Sequence, residues 1–332
     1  MVSWLSWLQK HLVWSIPGAM ALGLAAGLVA DPTPLRWAIV PLTFLMVYPM
    51  MVTMNLRELA RPGGARLQGV TLAINFVAMP LVGYALGRLF FADEPAARLA
   101  LLLTALLPTS GMTISWTGFA KGNVGAAVKM TVIGLVAGSL LAPLYLRALL
   151  GTVVEIPLGS VFGQIALIVF LPLLLGHATR RWLVARHGQD RFDGHYKLRL
   201  APWSTLGVLG IVFVAMALKA HDIVRDPAAV AALLLPLVAM YALNFALATF
   251  VGRALFARGD AIALVYGTVM RNLSIALAIA VGVFREQGAD AALLIALAYI
   301  VQVQAGAWYV RFTDRLFGAP PAVPPGRGTR PA

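Results

Sequence analysis

Long apolar blocks, separated by short polar segments, run along almost the whole chain. A helix needs about 20 apolar residues to cross roughly 30 Å of hydrocarbon, and most blocks have that length. The pattern therefore predicts an all-α polytopic membrane protein with about ten transmembrane helices. The predicted spans are 12–30, 35–54, 67–91, 97–120, 123–149, 159–180, 200–219, 229–252, 260–284 and 291–312.

The polar segments divide these spans into two sets of five. Residues 1–180 form a first repeat, which includes an interfacial helix near the N-terminus and the start of the sixth span. Residues 181–199 are predicted to be a cytoplasmic connector, and residues 200–317 complete the second repeat. The Pro/Gly-rich tail, 318–332, is predicted to be disordered.

Composition and charge agree with a membrane protein. The chain is 60% hydrophobic and 12% charged, with a net charge of +13. In the alternating loops, 17 cations lie on the side of the termini and 7 on the other. The positive-inside rule then places both termini in the cytoplasm, with the chain in the inner cell membrane. The basic excess indicates topology and contact with anionic lipid, not nucleic-acid binding.

A sequence repeat links the third and eighth predicted spans. The pattern N-F-x5-V-G-x-A-L begins at Asn75 and again at Asn244. Two copies that lie five spans apart cross the membrane in opposite directions, which is typical of the inverted repeats of secondary transporters. Coincidence among common membrane residues is the alternative.

Helix-breaking residues interrupt the fourth and ninth spans. The fourth contains Pro108 and Gly111 at mid-span, and the ninth contains Gly267 followed by the polar stretch 270–274. Unwound backbone at membrane depth is tolerated only where it faces protein or a water-filled cavity, so matched breaks point to a transport site. A simple proline kink is the alternative for the fourth span.

Several motifs resemble those of the bile acid:sodium symporter superfamily, which includes the arsenite-efflux permeases. They are N-F-V-A-M-P at 75–80, the stretch 108–113, F-A-K-G-N-V at 119–124 and M-R-N-L-S at 270–274. The segments 48–51 and 272–282 look closer to the arsenite permeases. The resemblance implies two inverted five-helix repeats, with the broken fourth and ninth helices crossing at the substrate site. It also implies a core domain of spans 3–5 and 8–10 and a panel domain of spans 1, 2, 6 and 7.

The chain departs from that family at the positions that hold sodium. The resemblance maps one sodium cage onto Thr113, Ile114, Ala127, Thr131 and Gly267. Most of its ligands are therefore missing. A second sodium site maps onto Asn75 and Arg271, and a guanidinium does not share a site comfortably with sodium. Thr109 lies near the position at which the arsenite permeases have their metalloid-binding cysteine, and this chain has no cysteine. The resemblance is thus closest to an atypical, arsenic-resistance-like branch without the sodium sites.

Two cations, Lys129 and Arg271, fall inside predicted spans, whereas all 13 acids fall in loops or at span ends. A buried cation without a carboxylate needs carbonyls, water or an anion as its partner. The two could bind an anionic substrate, replace sodium electrostatically, or, for Lys129, carry a coupling proton. Snorkelling to the interface is the alternative for Lys129, which lies only about 9 Å into its span at 1.5 Å per residue.

These observations predict a secondary transporter that moves a small organic anion or oxyanion by alternating access without sodium. The alternatives are an arsenical efflux permease without a cysteine ligand, or a sodium-coupled symporter of the bile-acid type. We expect no enzyme activity, catalytic residue, cofactor or metal. The expected partners are the anion, the bilayer and, as a candidate coupling ion, the proton. The predicted substrate-binding residues are Asn75, Thr109, Ser110, Gly111, Thr113, Arg271, Asn272 and Ser274.

Overall fold

The computed structural model describes Trp4, Trp7, Leu8, residues 11–54 and residues 62–319. Across these residues the secondary structure is helical, with no β-strand. The all-α class is therefore confirmed for the described part of the chain. Most of the predicted interfacial helix and almost all of the predicted disordered tail lie outside the described residues.

The helices are numbered in chain order, and a 3-10 turn, Thr33–Ala38, precedes the second helix. Their bounds are α1 Leu12–Val29, α2 Ile39–Thr53, α3 Ala65–Phe90, α4 Pro95–Leu106, α5 Gly111–Phe119, α6 Val124–Leu150, α7 Leu158–His187, α8 Gln189–Leu218, α9 Ala220–Arg225, α10 Pro227–Leu255, α11 Arg258–Val269, α12 Leu273–Val283 and α13 Arg285–Phe317.

Six described helices are long and apolar enough to cross a membrane: α3, α6, α7, α8 and most of α10 and α13. Four apolar helical stretches are shorter, namely Trp14–Val29, Pro41–Thr53, Pro95–Leu106 and Leu273–Val283. Two of these four are halves of interrupted spans, and α2 begins only at Ile39 because a 3-10 turn occupies the start of its predicted span. The fold is thus that of a multi-pass membrane protein.

The polar segment 181–199 is helical, so it forms a tight corner where a long connection was expected. Helix α7 runs to His187, and α8 begins two residues later. Gly188 turns the chain with a φ of 81°, a conformation that glycine adopts at low cost. Phe192 is fully buried in this corner, beneath the guanidinium of Arg180 at 4.6 Å, which explains why the segment folds back.

Helix α8 packs most extensively against α1 and α2. Glycines on these helices allow close approach: a Cβ at Gly23 or Gly27 of α1 would collide with the α8 backbone at Phe213 or Ala217. A second group of contacts joins α4, α10, α11 and α12 to α13 and α3 to α4. The two interrupted spans lie in this second group.

Candidate functional site

The two interruptions predicted from the sequence meet in space. The backbone at Pro108, between α4 and α5, lies antiparallel to the backbone at Arg271, between α11 and α12. The amide of Asn272 donates to the carbonyl of Leu107 at 2.7 Å. Each break thus satisfies backbone groups that the other leaves without a helical partner.

The first break is held by its own residues and by α6. Pro108 cannot donate a helical hydrogen bond, and Thr109 has a φ of 61°, which is unusual for a residue with a side chain. The Thr109 hydroxyl donates to the carbonyl of Pro108 at 2.7 Å and approaches that of Thr131 at 3.3 Å. A Cβ at Gly134 would lie 2.6 Å from the Thr109 hydroxyl. Helix α6 therefore needs a glycine at this crossing.

A capped helix begins on each side of the paired breaks. The Ser110 hydroxyl accepts from the amide of Met112 at 3.3 Å, and the Ser110 amide donates to the Thr113 hydroxyl at 3.1 Å. On the other side, the Asn272 side-chain oxygen accepts from the amide of Ile275 at 3.3 Å. The positive ends of the α5 and α12 dipoles therefore both face the break region.

Arg271 lies within the second break and is completely buried. Its Nη1 donates to the Asn75 side-chain oxygen at 3.0 Å and to the carbonyl of Ala105 at 3.2 Å. Its Nε and Nη2 have no hydrogen-bond partner among the described residues. No ion pair to Arg271 is present in the described part of the chain. The buried charge is thus only partly compensated by protein groups.

Gln302 of α13 fixes the backbone at Arg271, a role that the sequence analysis missed. Its side-chain oxygen accepts from the Arg271 amide at 2.7 Å, and its side-chain nitrogen donates to the Arg271 carbonyl at 3.2 Å. The buried hydroxyl of Tyr241 donates to the same oxygen at 2.9 Å. The available signal was the pair of glutamines, Gln302 and Gln304, in the apolar stretch of the tenth predicted span.

The two asparagines of the sequence repeat bind consecutive carbonyls near the end of α11. Asn75 donates to the carbonyl of Gly267 at 3.0 Å, and Asn244 donates to that of Thr268 at 2.8 Å. Asn75 lies in a π-helical turn, Ile74–Ala78, within α3. Such turns place side chains where a regular helix would not, and they are frequent at functional sites.

The positions that resemble a sodium cage are occupied by packing and by internal hydrogen bonds. A Cβ at Gly267 would overlap the sulfur of Met130, so a larger side chain there would require the flexible Met130 side chain to move. The Thr131 hydroxyl donates to the carbonyl of Ala127 in its own helix at 2.8 Å, and that of Thr113 caps α5. Among the described residues, no cluster of three His, Asp or Glu side chains could hold a metal ion.

The structure brings most predicted site residues together, and two lie further out. Thr109, Ser110 and Asn272 belong to the paired breaks, and Gly111 starts α5 beside them, against Met50 of α2. The hydroxyl of Ser274 pairs with that of Tyr299 at 2.7 Å. Lys129 is half-buried, and its ammonium donates to the carbonyl of Gly63, in the segment before α3, at 3.1 Å.

The motif at 119–124 lies away from the breaks, in a polar cluster at the other end of α11. Arg258 donates to the carbonyls of Gly318, Lys121 and Ala120 at 2.7, 2.8 and 3.3 Å, and to the carboxylate of Asp314 at 2.6 Å. Asn123 donates to Asp260 at 2.7 Å. This motif therefore joins α5, α6, α11 and α13.

The fold and site define a multi-pass membrane protein in which two interrupted helices meet beside a buried arginine. The chain belongs to the sodium bile acid symporter family, whose model matches residues 40–226. The resemblance found in the sequence motifs is thereby confirmed.

Three relatives extend the match. The chain is 24% identical over 238 residues to the arsenical-resistance protein Acr3 of Corynebacterium glutamicum, covering 68% of this chain and 64% of that protein. It is 23% identical over 256 residues to the Acr3 protein of Alkaliphilus metalliredigens, covering 69% and 70%. It is 24% identical over 260 residues to an uncharacterised transporter of Synechocystis, covering 69% and 68%. The chain thus spans less than two thirds of the length of the Corynebacterium relative.

Proposed function

We propose that this chain is a secondary transporter that moves a small organic anion or oxyanion across the inner membrane by alternating access. One observation carries the proposal: Arg271 is fully buried at the paired breaks, and two of its three guanidinium nitrogens lack a partner among the described residues. Burying a cation costs several kcal/mol unless an opposite charge compensates it. An anion that enters the site from solution supplies that compensation.

The proposed architecture has ten crossings in two inverted five-helix repeats. Helices α1, α2, α7 and α8 would form the panel domain, and α3–α6 with α10–α13 would form the core domain. The packing of α8 on α1 and α2 and the pairing of the two breaks support this division. In this arrangement the substrate binds where the panel meets the paired breaks, near Gly111 and Met50.

The proposed orientation places both termini in the cytoplasm. The chain contains no cysteine, so a single Asp190→Cys substitution creates a unique label site in the α7–α8 corner. An impermeant maleimide applied outside intact cells should leave it unmodified and should label it after the membrane is opened. Labelling in intact cells would show that the α7–α8 corner faces outside and that the orientation is the opposite of the one proposed.

We propose that transport does not require sodium, because Gly267 and Arg271 occupy positions where the family resemblance implies a sodium-binding Glu and Gln in the sodium-coupled members. The packing at Gly267 supports this, since a carboxylate side chain there would require Met130 to move. Arg271 would supply the positive charge that sodium provides elsewhere. Lys129 is the second candidate for that role or for carrying a coupling proton, although its bond to Gly63 favours snorkelling.

The test is transport by the purified full chain in liposomes, with sodium replaced by choline. The probes are acetate, benzoate, phosphate, arsenate and arsenite. Uptake of an anion at the same rate in sodium and in choline supports the proposal. A steep dependence on the sodium gradient, with lithium and potassium inactive, would show a sodium-coupled symporter instead.

Arsenical efflux is the second candidate, because two relatives are named arsenical-resistance proteins. Without cysteine, this chain would have to bind the arsenical through oxygen ligands such as Thr109 and Ser110. Transport of neutral arsenite, unaffected by competing anions, would favour this function over anion transport.

A further inference from the structure

The partners of Arg271 leave one edge of its guanidinium unused. Nη1 is occupied by Asn75 and Ala105, whereas Nε and Nη2 have no partner among the described residues. These two nitrogens share one edge of the planar group, and their N–H bonds point in parallel. An arginine edge of this kind accepts two oxygen atoms side by side.

We propose that this edge binds the head group of the substrate, and that the head group presents two adjacent oxygens, as a carboxylate or a tetrahedral oxyanion does. The inference rests on the proposed anion transport and goes beyond it by naming the chemistry of the ligand. A halide also carries a negative charge, but it is a single atom and cannot offer a separate acceptor to each of the two donors. Neutral arsenite offers oxygens without the negative charge that the buried guanidinium requires.

The guanidinium is held in a fixed orientation, so its Nε and Nη2 donors can distinguish ligands by the spacing of their acceptor atoms. Asn75 can only accept from Nη1, because its own amide nitrogen is bound to the carbonyl of Gly267. The backbone of Arg271 is held on both sides by the Gln302 amide. A donor pair that is already oriented loses little entropy on binding, which favours a ligand of matching shape.

The adjacent residue supplies another unused donor. Asn272 is 2% exposed, its side-chain oxygen caps α12, and its Nδ2 has no partner among the described residues. The capping bond fixes which end of the amide is the nitrogen, since only the oxygen can accept from the amide of Ile275. Asn272 thus adds an unused donor at the positive end of α12, where a ligand that only accepts hydrogen bonds is favoured.

The proposal is tested by binding to the purified full chain, with formate, inorganic phosphate and chloride as choline salts at constant ionic strength. Formate carries two oxygens and no tail, so it reports on the head-group site alone. Affinity is measured by calorimetry, with thermal unfolding as a second readout. The proteins are wild type, Arg271→Lys, which keeps the charge but loses the paired donors, and Arg258→Lys as the matched control at an arginine whose nitrogens are all bonded.

In wild type we expect formate or phosphate to bind more tightly than chloride. Arg271→Lys should weaken the preferred oxygen anion by about tenfold or more and change chloride binding much less. Tighter formate binding indicates a carboxylate substrate, and tighter phosphate binding indicates a tetrahedral oxyanion. The Arg258→Lys control should keep the wild-type preference even if its unfolding temperature falls.

Three results would overturn the proposal: chloride binding as tightly as both oxygen anions, no binding of either oxygen anion, or unchanged discrimination in folded Arg271→Lys protein. The transporter proposal is judged separately in liposomes. Anion transport with unchanged discrimination in Arg271→Lys would refute only the two-oxygen site. Discriminating binding without transport of any probe would count against the transporter.

Discussion

Two arginines at opposite ends of α11 have the same chemistry and very different surroundings. Arg258 begins the helix, and all three of its guanidinium nitrogens are hydrogen-bonded, with the carboxylate of Asp314 among their partners. Arg271 lies just beyond the last residue of the helix, with one bonded nitrogen and no ion pair in the described part of the chain.

The difference separates an arginine that stabilises the fold from one that is left available to a ligand. Arg258 joins the ends of three helices, and each of its guanidinium nitrogens donates to a protein group. Arg271 is the more deeply buried of the two, yet it keeps an edge of donors unused. Because unpaired buried donors cost free energy, a protein that only needed stability would be better served by an apolar residue at this position.

The largest expected effect on stability is that of Arg258→Gln. This change removes the ion pair with Asp314 and leaves the carbonyls of Lys121 and Gly318 without their donor. We expect the free energy of unfolding to fall by about 2 kcal/mol, since Asp314 is largely exposed and most of the loss comes from the hydrogen bonds, measured by thermal or denaturant unfolding in detergent. In the protein that still folds, substrate affinity should be close to wild type. A specific loss of affinity with normal stability would break the comparison.

Arg271→Gln should show the opposite pattern. Loss of the charge-assisted pair of donors should lower substrate affinity by roughly ten- to a hundredfold, or about 1.5–3 kcal/mol. Stability should be kept or should rise, because an uncompensated buried cation is itself costly. The measurements are the apparent KM in liposomes and the unfolding temperature. Wild-type affinity in well-folded protein would exclude Arg271 from the site.

Gln302→Leu tests whether the second break is positioned by the amide that the structure assigns to it. The substitution leaves the amide of Arg271 and the hydroxyl of Tyr241 without partners, so both stability and affinity should decline. We expect affinity to fall by about five- to tenfold, with a smaller preference for formate or phosphate over chloride. Gln302→Asn tests whether a shorter amide restores any of the preference. If Gln302→Leu lost stability but kept the full preference, the amide would serve packing alone.

Lys129→Met should have the smallest effect. The Lys129 ammonium donates to the carbonyl of Gly63. If the side chain only snorkels to the membrane interface, removing the ammonium should change transport little. If Lys129 carries a coupling proton, the variant should still exchange substrate across the membrane but lose pH-driven accumulation. Comparing exchange with accumulation in the same liposomes decides between the two.

The sequence predicted the helical fold, the two helix breaks and the presence of a buried arginine at the second break. It could do so because Pro108, the matched position of residues 270–274 and the absence of acids inside the spans leave direct marks on composition and spacing. The family motifs added the expectation that the two breaks would meet.

Other features depend on three-dimensional contacts that spacing does not reveal. The segment 181–199 is polar, which suggested a connection, but Phe192 and Gly188 turn it into a helical corner. The role of Gln302 was missed because an amide in an apolar stretch gives no indication of its partner, and Gln304 lies only two residues away. Spacing also could not show which nitrogens of Arg271 are occupied, since that depends on the approach of Asn75 and Ala105 from two other helices.

The buried guanidinium also gives the proposed transport cycle an electrical asymmetry. The empty site carries one positive charge, and the site loaded with a monovalent anion is neutral. Moving one charge across the whole membrane changes the free energy by about 2.3 kcal/mol for each 100 mV. With a negative cytoplasm, the field draws the empty site inward and acts little on the loaded one. In the proposed cycle the membrane voltage would therefore act on the return of the empty site and little on the loaded step, so Arg271 would determine which half of the cycle responds to the membrane potential.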